Sequence, residues 1–461
     1  MNRQKMNRRR LLEYAAATSL MACGPAIAAP ARKKNFVVIY CDDLGYGDIG
    51  PDGNTVIPTP NLDRLAREGT VLTDYYAPAN LCTPSRAGLL TGRYPINAGQ
   101  ALMLGPTSTT GLPLSNPTIP KALKPAGYVS AMIGKWHLGS TGEFWPPTKN
   151  YGYDYYYGIP YSHDMWPLSV FESRAGQPGV TQIKPDPMTL QEEFYSHGEK
   201  FIEENADRPF FVNMCLSAPH LPSWVPAAFK GKSEVGDYGD TIVQVDSFVG
   251  RLLKKLEALN IDRDTMIIFT SDNGPWYWGS TGPFRARKSQ PGYDGGYRVP
   301  FIAWLPGVVR AGARTGGLAS GIDIFPTLCG LAGAPLPQAG IDGVDMLPML
   351  ASGAPSRRKE IFLFMGEDLV GIRTARWKFL ENRSYSPNTP SPDRYGYKEL
   401  YDLQADQSES YNVASRYPDV VDGLAMRFAA AKKVFDPKRT QPEKMEPPIH
   451  FLGDTRPIWN D

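Results

Sequence analysis

One cysteine stands in a sequence context that can activate it for chemistry. Cys82 opens the segment CTPSRAGLLTGR, in which Pro84 is placed to start a helix and Arg86 follows one turn later. We expect Cys82 to precede this helix, where the positive helix terminus and the guanidinium group favour an anion. On these grounds alone, Cys82 is either a reactive thiol or an inert buried one.

Two pairs of oxygen-bearing side chains follow two apolar segments. Asp42 and Asp43 come directly after the run that begins at Asn35, and Asp272 and Asn273 come directly after Met266–Ser271. Adjacent carboxylates repel each other unless a cation neutralises them, so both pairs could converge on one hard cation. Oxygen ligands suit calcium or magnesium, and no cluster of His and Cys favours zinc. Taken alone, the pair Asp42–Asp43 is better explained as a solvated turn.

Nitrogen-bearing side chains occupy comparable places after other apolar segments. Lys135 and His137 lie in the string GKWHLG after Tyr128–Ile133, and His220 follows Phe210–Leu216. Lys288 lies five residues before Tyr293, in a segment rich in Gly and Pro. A lone histidine is usually structural and a lone lysine usually exposed, so these residues gain significance only from their context.

Together these motifs resemble those of the sulfatase family. The segment from Cys82 to Arg93 agrees with the family signature C-x-P-S-R-x-x-x-L-T-G-R at every fixed position, and the resemblance runs from about Phe36 to Asn412. It implies that a maturation enzyme oxidises Cys82 to formylglycine. In the family, one hydroxyl of the hydrated aldehyde attacks sulfur, and the other then expels sulfate.

The resemblance also assigns roles to individual residues. It implies one calcium ion per chain, bound by Asp42, Asp43, Asp272, Asn273 and the modified Cys82. It further implies a catalytic set in which Lys135 binds sulfate, His137 takes a proton from the formylglycine hydroxyl and His220 assists the leaving oxygen, with Arg86 and Lys288 completing the set. Lys288 stands one residue farther from Tyr293 than the family pattern has it. The segment Tyr157–Asp164 either lines the substrate mouth or packs in the interior.

These residues require a sheet whose strand ends bring them together. Strands are predicted at Asn35–Cys41, Tyr128–Ile133, Phe210–Leu216, Met266–Ser271 and Phe301–Leu305. Helices from Thr59, as N-cap, to Gly69, and at 238–259 and 322–332, alternate with them. The alternation predicts an α/β fold with a largely parallel sheet covered on both faces, and ligands gather at the carboxyl ends of such strands. The resemblance implies an alkaline-phosphatase-like sandwich with a large mixed, mostly parallel sheet flanked by helices.

The C-terminal part of the chain predicts a smaller second domain. After the Pro- and Gly-rich stretch Pro335–Lys359, short strands are expected at 361–365, 370–374, 377–381 and 399–402, with a Pro-rich loop at 384–397 and a helix at 418–434. We therefore predict a catalytic domain over 35–355 and a C-terminal α+β subdomain with an antiparallel sheet over 356–461.

The first 28 residues predict export from the cytoplasm. Five basic residues precede a weakly apolar run, and Ala26-Ile27-Ala28 follows as a cleavage site, which is the order of a secretory signal. The string NRRRLL resembles a twin-arginine signal; an ordinary secretory signal or a disordered basic tail is the alternative. We expect a periplasmic or secreted protein without a transmembrane segment.

Composition narrows the possible functions further. The formal charge of the 461 residues is only +2, which gives no electrostatic case for binding nucleic acid. Cys41, Cys215 and Cys329 lie far apart in apolar stretches, so we expect them to be buried and unpaired.

We predict a hydrolase of aryl or carbohydrate sulfate monoesters, whose partners are a sulfated small molecule or saccharide and the maturation enzyme. The alternatives are a phosphoesterase or phosphonate hydrolase on the same fold, and a non-catalytic, calcium-stabilised carbohydrate-binding protein.

Overall fold

The computed structural model of the protein describes residues 32–338, 340–381 and 398–440. Its strands, numbered in chain order, are β1 (Asn35–Asp42), β2 (Thr70–Leu72), β3 (Tyr75–Tyr76), β4 (Val129–Lys135), β5 (Tyr155–Ile159), β6 (Val170–Arg174), β7 (Thr181–Ile183), β8 (Phe210–Pro219), β9 (Thr265–Ser271), β10 (Phe301–Trp304), β11 (Ala313–Thr315), β12 (Ala319–Ser320), β13 (Glu360–Met365), β14 (Asp368–Thr374), β15 (Trp377–Leu380) and β16 (Glu399–Asp402).

The α-helices are numbered in the same way. They are α1 (Pro60–Glu68), α2 (Cys82–Thr91), α3 (Pro95–Ala98), α4 (Ile119–Leu123), α5 (Pro147–Asn150), α6 (Leu190–Glu204), α7 (Gly236–Ala258), α8 (Asp294–Tyr297), α9 (Ile324–Ala332), α10 (Leu347–Ser352) and α11 (Pro418–Phe435). Among the described residues, none of these helices is long and apolar enough to cross a membrane.

A ten-stranded mixed sheet forms the centre of the molecule. Its strand order is β11-β2-β10-β9-β1-β8-β4-β5-β6-β7. The five neighbours β9, β1, β8, β4 and β5 run parallel, whereas β10 and β6 pair antiparallel at either side of them. The predicted large, mixed and mostly parallel sheet is confirmed.

Strand β1 shows why the sequences of the central strands are uninterrupted apolar runs. Its side chains alternate between two cores, because Phe36, Val38 and Tyr40 join one cluster and Val37, Ile39 and Cys41 join the other. Helices α2 and α9 cover the first face, and α1, α6 and α7 cover the second. A strand buried on both faces needs apolar residues at every position, as the sequence has here.

The start of α1 departs from the expected capping. Thr59 stands at the N-cap position, but its hydroxyl accepts a hydrogen bond from the backbone N–H of Gly50 at 2.8 Å instead of capping the helix. The free amides of the first turn are satisfied by Asp246 of α7, which accepts from Asn61 N at 3.0 Å and Leu62 N at 2.8 Å. The capping oxygen therefore comes from a residue distant in the sequence, which the local pattern could not reveal.

The C-terminal strands form the predicted antiparallel sheet, in the order β13-β14-β15-β16. Helix α11 packs on it through Val421, Leu424 and Phe428. The described residues from Lys34 onward form one compact unit, and the division near residue 355 stays a prediction.

The expected signal at 1–28 and the expected loop at 384–397 lie outside the described residues. Cys41, Cys82, Cys215 and Cys329 are buried and unpaired.

A buried ion network joins the C-terminal sheet to the rest of the unit. Lys378 of β15 forms ion pairs with Asp294 of α8 and with Glu409, whose Oε1 lies 2.6 Å from its Nζ. Asp294 also accepts a hydrogen bond from the hydroxyl of Tyr76 in β3 at 2.9 Å. Burial alone would raise the pKa of Asp294, but Lys378, Arg298 and Arg373 outweigh burial and lower it to about 2. The carboxylate is therefore charged and compensated.

We expect Lys378→Met to destabilise the fold strongly. The substitution leaves Asp294 and Glu409 buried without their ammonium partner, and breaking a buried pair in this way costs about 3–5 kcal/mol. Chemical denaturation would measure the free energy of unfolding. Lys433→Met, an exposed lysine on α11, is the matched control and should change it by less than about 0.5 kcal/mol. Equal stability of the two variants would contradict the structural role of the network.

Candidate active site

The predicted site residues meet at the carboxyl edge of four neighbouring parallel strands. Asp42 ends β1 and Asp43 follows it, Lys135 ends β4, and His220 directly follows β8. Asp272 and Asn273 directly follow β9. In the sheet these strands are adjacent in the order β9-β1-β8-β4, so residues far apart in the sequence become neighbours.

Three carboxylates and the cysteine form the centre of the site. One oxygen each from Asp42, Asp43 and Asp272, together with the Sγ of Cys82, lie within 4.8 Å of one another, and all four residues are buried. Asn273 joins them, because its Nδ2 donates to Asp43 Oδ1 at 2.7 Å. The two oxygen-bearing pairs that the sequence placed after separate strands are therefore in direct contact.

The loop after β1 is held in a conformation that a chain rarely adopts. Asp43 has a φ of 62°, in the left-handed region that is costly for a residue with a Cβ. Tyr238 of α7 stabilises this loop, since its hydroxyl donates to Asp48 Oδ2 at 2.6 Å and contacts the Asp43 carbonyl at 3.3 Å. Asp48 in turn accepts from the backbone N–H of Ser280 at 2.7 Å. No sequence pattern pointed to a role for Tyr238.

Helix α2 brings the cysteine to the carboxylates. The helix begins at Cys82 itself, with Leu81 at the N-cap position, so Cys82 belongs to the first turn and does not precede the helix as expected. Pro84 lies within that same turn, where its missing N–H leaves no helical hydrogen bond unmade. Ser85 fixes the entry to the helix, because its hydroxyl bonds the backbone carbonyl of Ala79 at 2.8 Å. Every residue of α2 is buried.

Three cations compensate the three carboxylates. Arg86 Nη2 lies 2.7 Å from Asp272 Oδ2 and 3.7 Å from Asp42 Oδ1. Lys135 forms an ion pair with Asp42, and Lys288 Nζ lies 2.6 Å from Asp43 Oδ1. Because all six groups are nearly inaccessible to water, these pairings decide which charges the interior can hold.

The pKa values of two carboxyl groups move in opposite directions. Burial alone would raise the pKa of Asp42, but Lys135, His220 and Arg86 together lower it well below its ordinary value. Burial, followed by the charge of Asp42, raises the pKa of Asp272 to about 6 despite Arg86. The protein's own cations thus outweigh the effect of burial at Asp42 but not at Asp272.

Lys288 belongs to the site in spite of its irregular spacing. Its Nζ lies 3.3 Å from the Sγ of Cys82, which itself lies 3.3 Å from Asp42 Oδ1. Ala286 and Ser289, on either side, have φ values of 66° and 64°, so the backbone is contorted where it presents the lysine. Burial, reinforced by Asp42, raises the pKa of the Cys82 thiol well above its ordinary value, so the unmodified residue is a thiol and not a thiolate.

The two histidines present different nitrogens to the site. His137 Nε2 donates to the carbonyl of Leu104 at 2.8 Å, because a carbonyl oxygen only accepts, and its buried Nδ1 has no protein partner. Burial, reinforced by Lys135, lowers the pKa of His137 well below its ordinary value, which keeps the ring neutral. His220 donates from Nδ1 to the carbonyl of Leu221, and its Nε2 lies 3.6 Å from Asp43 Oδ2.

The donor set fits a hard divalent cation. Three carboxylates and one amide offer oxygen ligands, and the buried Oδ1 of Asn273 has no hydrogen-bond partner among the protein groups. An unpartnered amide oxygen in the interior is costly unless it binds something. The residues are therefore suited to calcium or magnesium, as their types had suggested.

The segment Tyr157–Asp164 divides between the two roles expected for it. Tyr157 packs, since its ring stacks on His197 with centroids 3.5 Å apart and its hydroxyl donates to Glu193 at 2.6 Å. His163 instead reaches the site, with its ring 5.5 Å from that of His220. It lines a small cavity with His220 and Trp224. The sequence analysis missed Trp224, although an aromatic residue four positions after His220 was available as a signal.

Comparison with known proteins places the chain in a family. Residues 34–334 match the model of the Sulfatase family, and residues 289–433 match that of the N-sulphoglucosamine sulphohydrolase C-terminal region. Human (Homo sapiens) arylsulfatase A is 36% identical over 455 residues, covering 88% of this chain and 89% of the relative. N-acetylgalactosamine-6-sulfatase of Canis lupus familiaris is 35% identical over 393 residues, covering 78% of this chain and 74% of the relative.

A solved structure extends the likeness to the fold. A sulfatase from Pseudoalteromonas sp. superimposes with a TM-score of 0.80 at 26% identity. The match covers 95% of this chain and 96% of that one. Both sheets described above therefore occur in a fold that is known from experiment.

We expect the site to bind Ca²⁺ and to lose affinity when Asn273 is replaced by Ala. The substitution removes one neutral oxygen ligand and leaves the three carboxylates in place. The dissociation constant, measured by calorimetry on chelator-treated protein, should rise at least about tenfold, or ~1.4 kcal/mol. Glu203→Gln, an exposed acidic residue on α6, is the control and should bind as the unaltered chain does. Unchanged affinity in the Asn273 variant would place the ion elsewhere.

Proposed function

The chain belongs to the sulfatase family, a family of sulfuric ester hydrolases, and we propose that it hydrolyses carbohydrate or aryl sulfate monoesters at the Cys82 site. One observation supports this assignment above the others. The Sγ of Cys82 lies between Asp42 and Lys288, at 3.3 Å from each, in a pocket that also holds Asp43, Asp272 and two further cations. If Cys82 is converted to formylglycine, these same residues would surround the modified side chain.

Formylglycine, when present at position 82, supplies through its hydrated aldehyde the oxygen that attacks sulfur. A calcium ion held by Asp42, Asp43, Asp272 and Asn273 would supply positive charge beside that oxygen and favour its deprotonated form. Without an ion, the three carboxylates and three cations cancel. A divalent ion would leave the site with an excess of positive charge, which is suited to an anionic sulfate ester.

The cationic side chains bind and orient the sulfate group. Lys135 approaches the nucleophile position from the end of β4 and Lys288 from a loop, and each can exchange part of its carboxylate contact for a sulfate oxygen. Arg86 acts differently, because its guanidinium is committed to Asp272 and to the backbone carbonyl of Lys135 at 3.0 Å. We assign Arg86 as a positioning residue that fixes both the carboxylates and the lysine.

The histidines divide the proton transfers between them. His137 is neutral with its Nδ1 unpartnered, so it can accept a proton from the nucleophile. His220 directs Nε2 into the site and fixes its ring through the Leu221 carbonyl, so a protonated Nε2 can donate to the leaving alcohol oxygen. The sulfur–oxygen bond to the alcohol breaks as that proton is delivered, which avoids release of an alkoxide.

Maturation and export belong to the same proposal. The raised pKa of the buried Cys82 thiol supports a role for a modified residue, because an unmodified thiol is not ionised there. We propose that a formylglycine-generating enzyme converts Cys82, and that residues 1–28 direct export to the periplasm or the medium. A phosphoesterase with the same site would prefer phosphate esters, so turnover of 4-nitrophenyl sulfate and 4-nitrophenyl phosphate side by side separates the two functions.

Cys82→Ala should abolish sulfate ester hydrolysis and leave the fold intact. The variant has no side chain that can become the nucleophile, whereas the loss of one small group at a helix start costs about 1 kcal/mol. Hydrolysis of 4-nitrophenyl sulfate and thermal unfolding measure the two effects. Cys82→Ser should accept at most one sulfate group, because a single hydroxyl cannot re-form an aldehyde to expel it.

Two controls make this prediction decisive. Cys329→Ala, a buried cysteine on α9, should retain turnover. Mass spectrometry of the peptide that contains position 82 should show formylglycine in the active enzyme. Steady turnover by the Cys82→Ala variant near the unaltered rate would overturn the proposed nucleophile.

His220→Asn should impair catalysis in proportion to the basicity of the leaving alcohol. Loss of a general acid typically costs about 10²–10⁴-fold when the leaving group needs a proton. A sugar alcohol needs one and a nitrophenolate does not, so kcat/KM should fall far more for a sulfated sugar than for 4-nitrophenyl sulfate. His197→Asn, a half-buried histidine outside the site, is the control. An equal loss for both substrates would assign His220 a role other than protonation.

A further inference from the structure

Three consecutive aromatic side chains are exposed beside the site. Trp276, Tyr277 and Trp278 are 41%, 62% and 62% exposed, although large apolar residues in this protein are mostly buried. We name these three residues the aromatic turn. Clustered exposed aromatic residues usually mark a binding surface, because their burial against a ligand is favourable.

The aromatic turn is tied to the active site at both ends. It begins three residues after Asn273, and the loop that contains it ends at Lys288. The backbone N–H of Lys288 donates to the carbonyl of Pro275 at 3.2 Å, which closes the loop at its base. The N–H of Gly47, in the loop after β1, donates to the carbonyl of Ser280 at 2.9 Å. The turn therefore lies at the rim of the site.

Internal contacts keep the turn in one conformation. Arg287 Nη1 donates to the carbonyl of Trp276 at 3.1 Å and to that of Gly279. Its guanidinium lies 5.9 Å from the centroid of the Tyr277 ring, and the rings of Trp276 and Tyr277 meet edge to face at 5.0 Å. A preorganised aromatic surface loses little conformational entropy when it binds a ligand.

We propose that the aromatic turn is a subsite for sugar rings adjacent to the sulfated one, so that the substrate is an extended sulfated oligosaccharide. This inference rests on the proposed function. The nucleophile position is buried, so the sulfate group must reach inward to it, and rings farther along the chain would extend past the rim. A pyranose ring offers an apolar C–H face that packs on indole or phenol rings, while its hydroxyls stay hydrated. Arg287 adds positive charge, which favours a chain that carries further sulfate or carboxylate groups.

The experiment measures how chain length affects binding. Sulfated disaccharides and hexasaccharides prepared from chondroitin sulfate, heparan sulfate and carrageenan are tested as inhibitors of 4-nitrophenyl sulfate hydrolysis. For at least one of the three series, the unaltered enzyme should bind the hexasaccharide at least about tenfold more tightly than the disaccharide, or ~1.4 kcal/mol. In the double variant Trp276→Ala/Trp278→Ala, this ratio of inhibition constants should fall close to one.

A matched variant and a second measurement support the comparison. Tyr411→Ala removes another exposed aromatic ring, 74% exposed and outside the turn, and should keep the ratio. Calorimetry in the Cys82→Ala background measures oligosaccharide binding without turnover, so the comparison does not depend on catalytic rate. Thermal unfolding checks that each variant is folded.

Several results would overturn the proposal. These are an absence of competition from every saccharide, a length preference that the double variant retains, and a dimer that dissociates in the double variant, since the turn would then serve a protein contact. Failure of the proposed function looks different, because 4-nitrophenyl sulfate would not be hydrolysed at all. An enzyme that hydrolyses it and shows no length preference is a sulfatase whose aromatic turn binds no saccharide.

Discussion

The structure depends on compensating charges in a place that water does not reach. Asp42, Asp43 and Asp272 lie within 4.8 Å of one another, and three buried cations face them. Removing ions from water costs several kcal/mol each, so such a cluster survives only when surrounding elements hold every partner in position. This requirement explains why the site is built from strand ends in the interior of the sheet and not from flexible surface loops.

The fold meets this requirement through topology first and local strain second. Parallel strands β9, β1, β8 and β4 end at the same edge, and this alone brings the carboxylates, Lys135 and His220 together. Helix α2 then brings Cys82 and Arg86 to them from the side. Where regular geometry is insufficient, the backbone takes left-handed conformations at Asp43, His137 and the residues that flank Lys288. The buried network around Asp294 supports the segment that follows Lys288.

The sequence predicted the parts of this arrangement that depend on local pattern. Uninterrupted apolar runs located β1, β4, β8 and β9, and the polar residues directly after them proved to be neighbours because parallel strands share an edge. Short strands such as β2 and β11 were missed, since their formation depends on pairing with distant partners. The same reason explains Asp246 at the start of α1 and Tyr238 beneath the loop after β1. Lys288 lies beside Asp43 and Cys82 in spite of its spacing from Tyr293, and its catalytic role stays a prediction.

The charged groups of the site and the exposed aromatic side chains beside it occupy different parts of the structure. The groups that compensate charge lie at strand ends and on α2, where a small displacement would leave an ion unpaired. The loop from Asn273 to Lys288 has its two ends in that machinery, and Ser280 within it bonds the loop after β1, whereas the side chains of Trp276, Tyr277 and Trp278 are exposed. Arg287 donates to the carbonyls of Trp276 and Gly279, and the backbone N–H of Lys288 donates to the carbonyl of Pro275, so the turn is held in place at the base of the loop. The three exposed aromatic rings are therefore on a part of the loop whose side chains can vary without removing a charged group from the site.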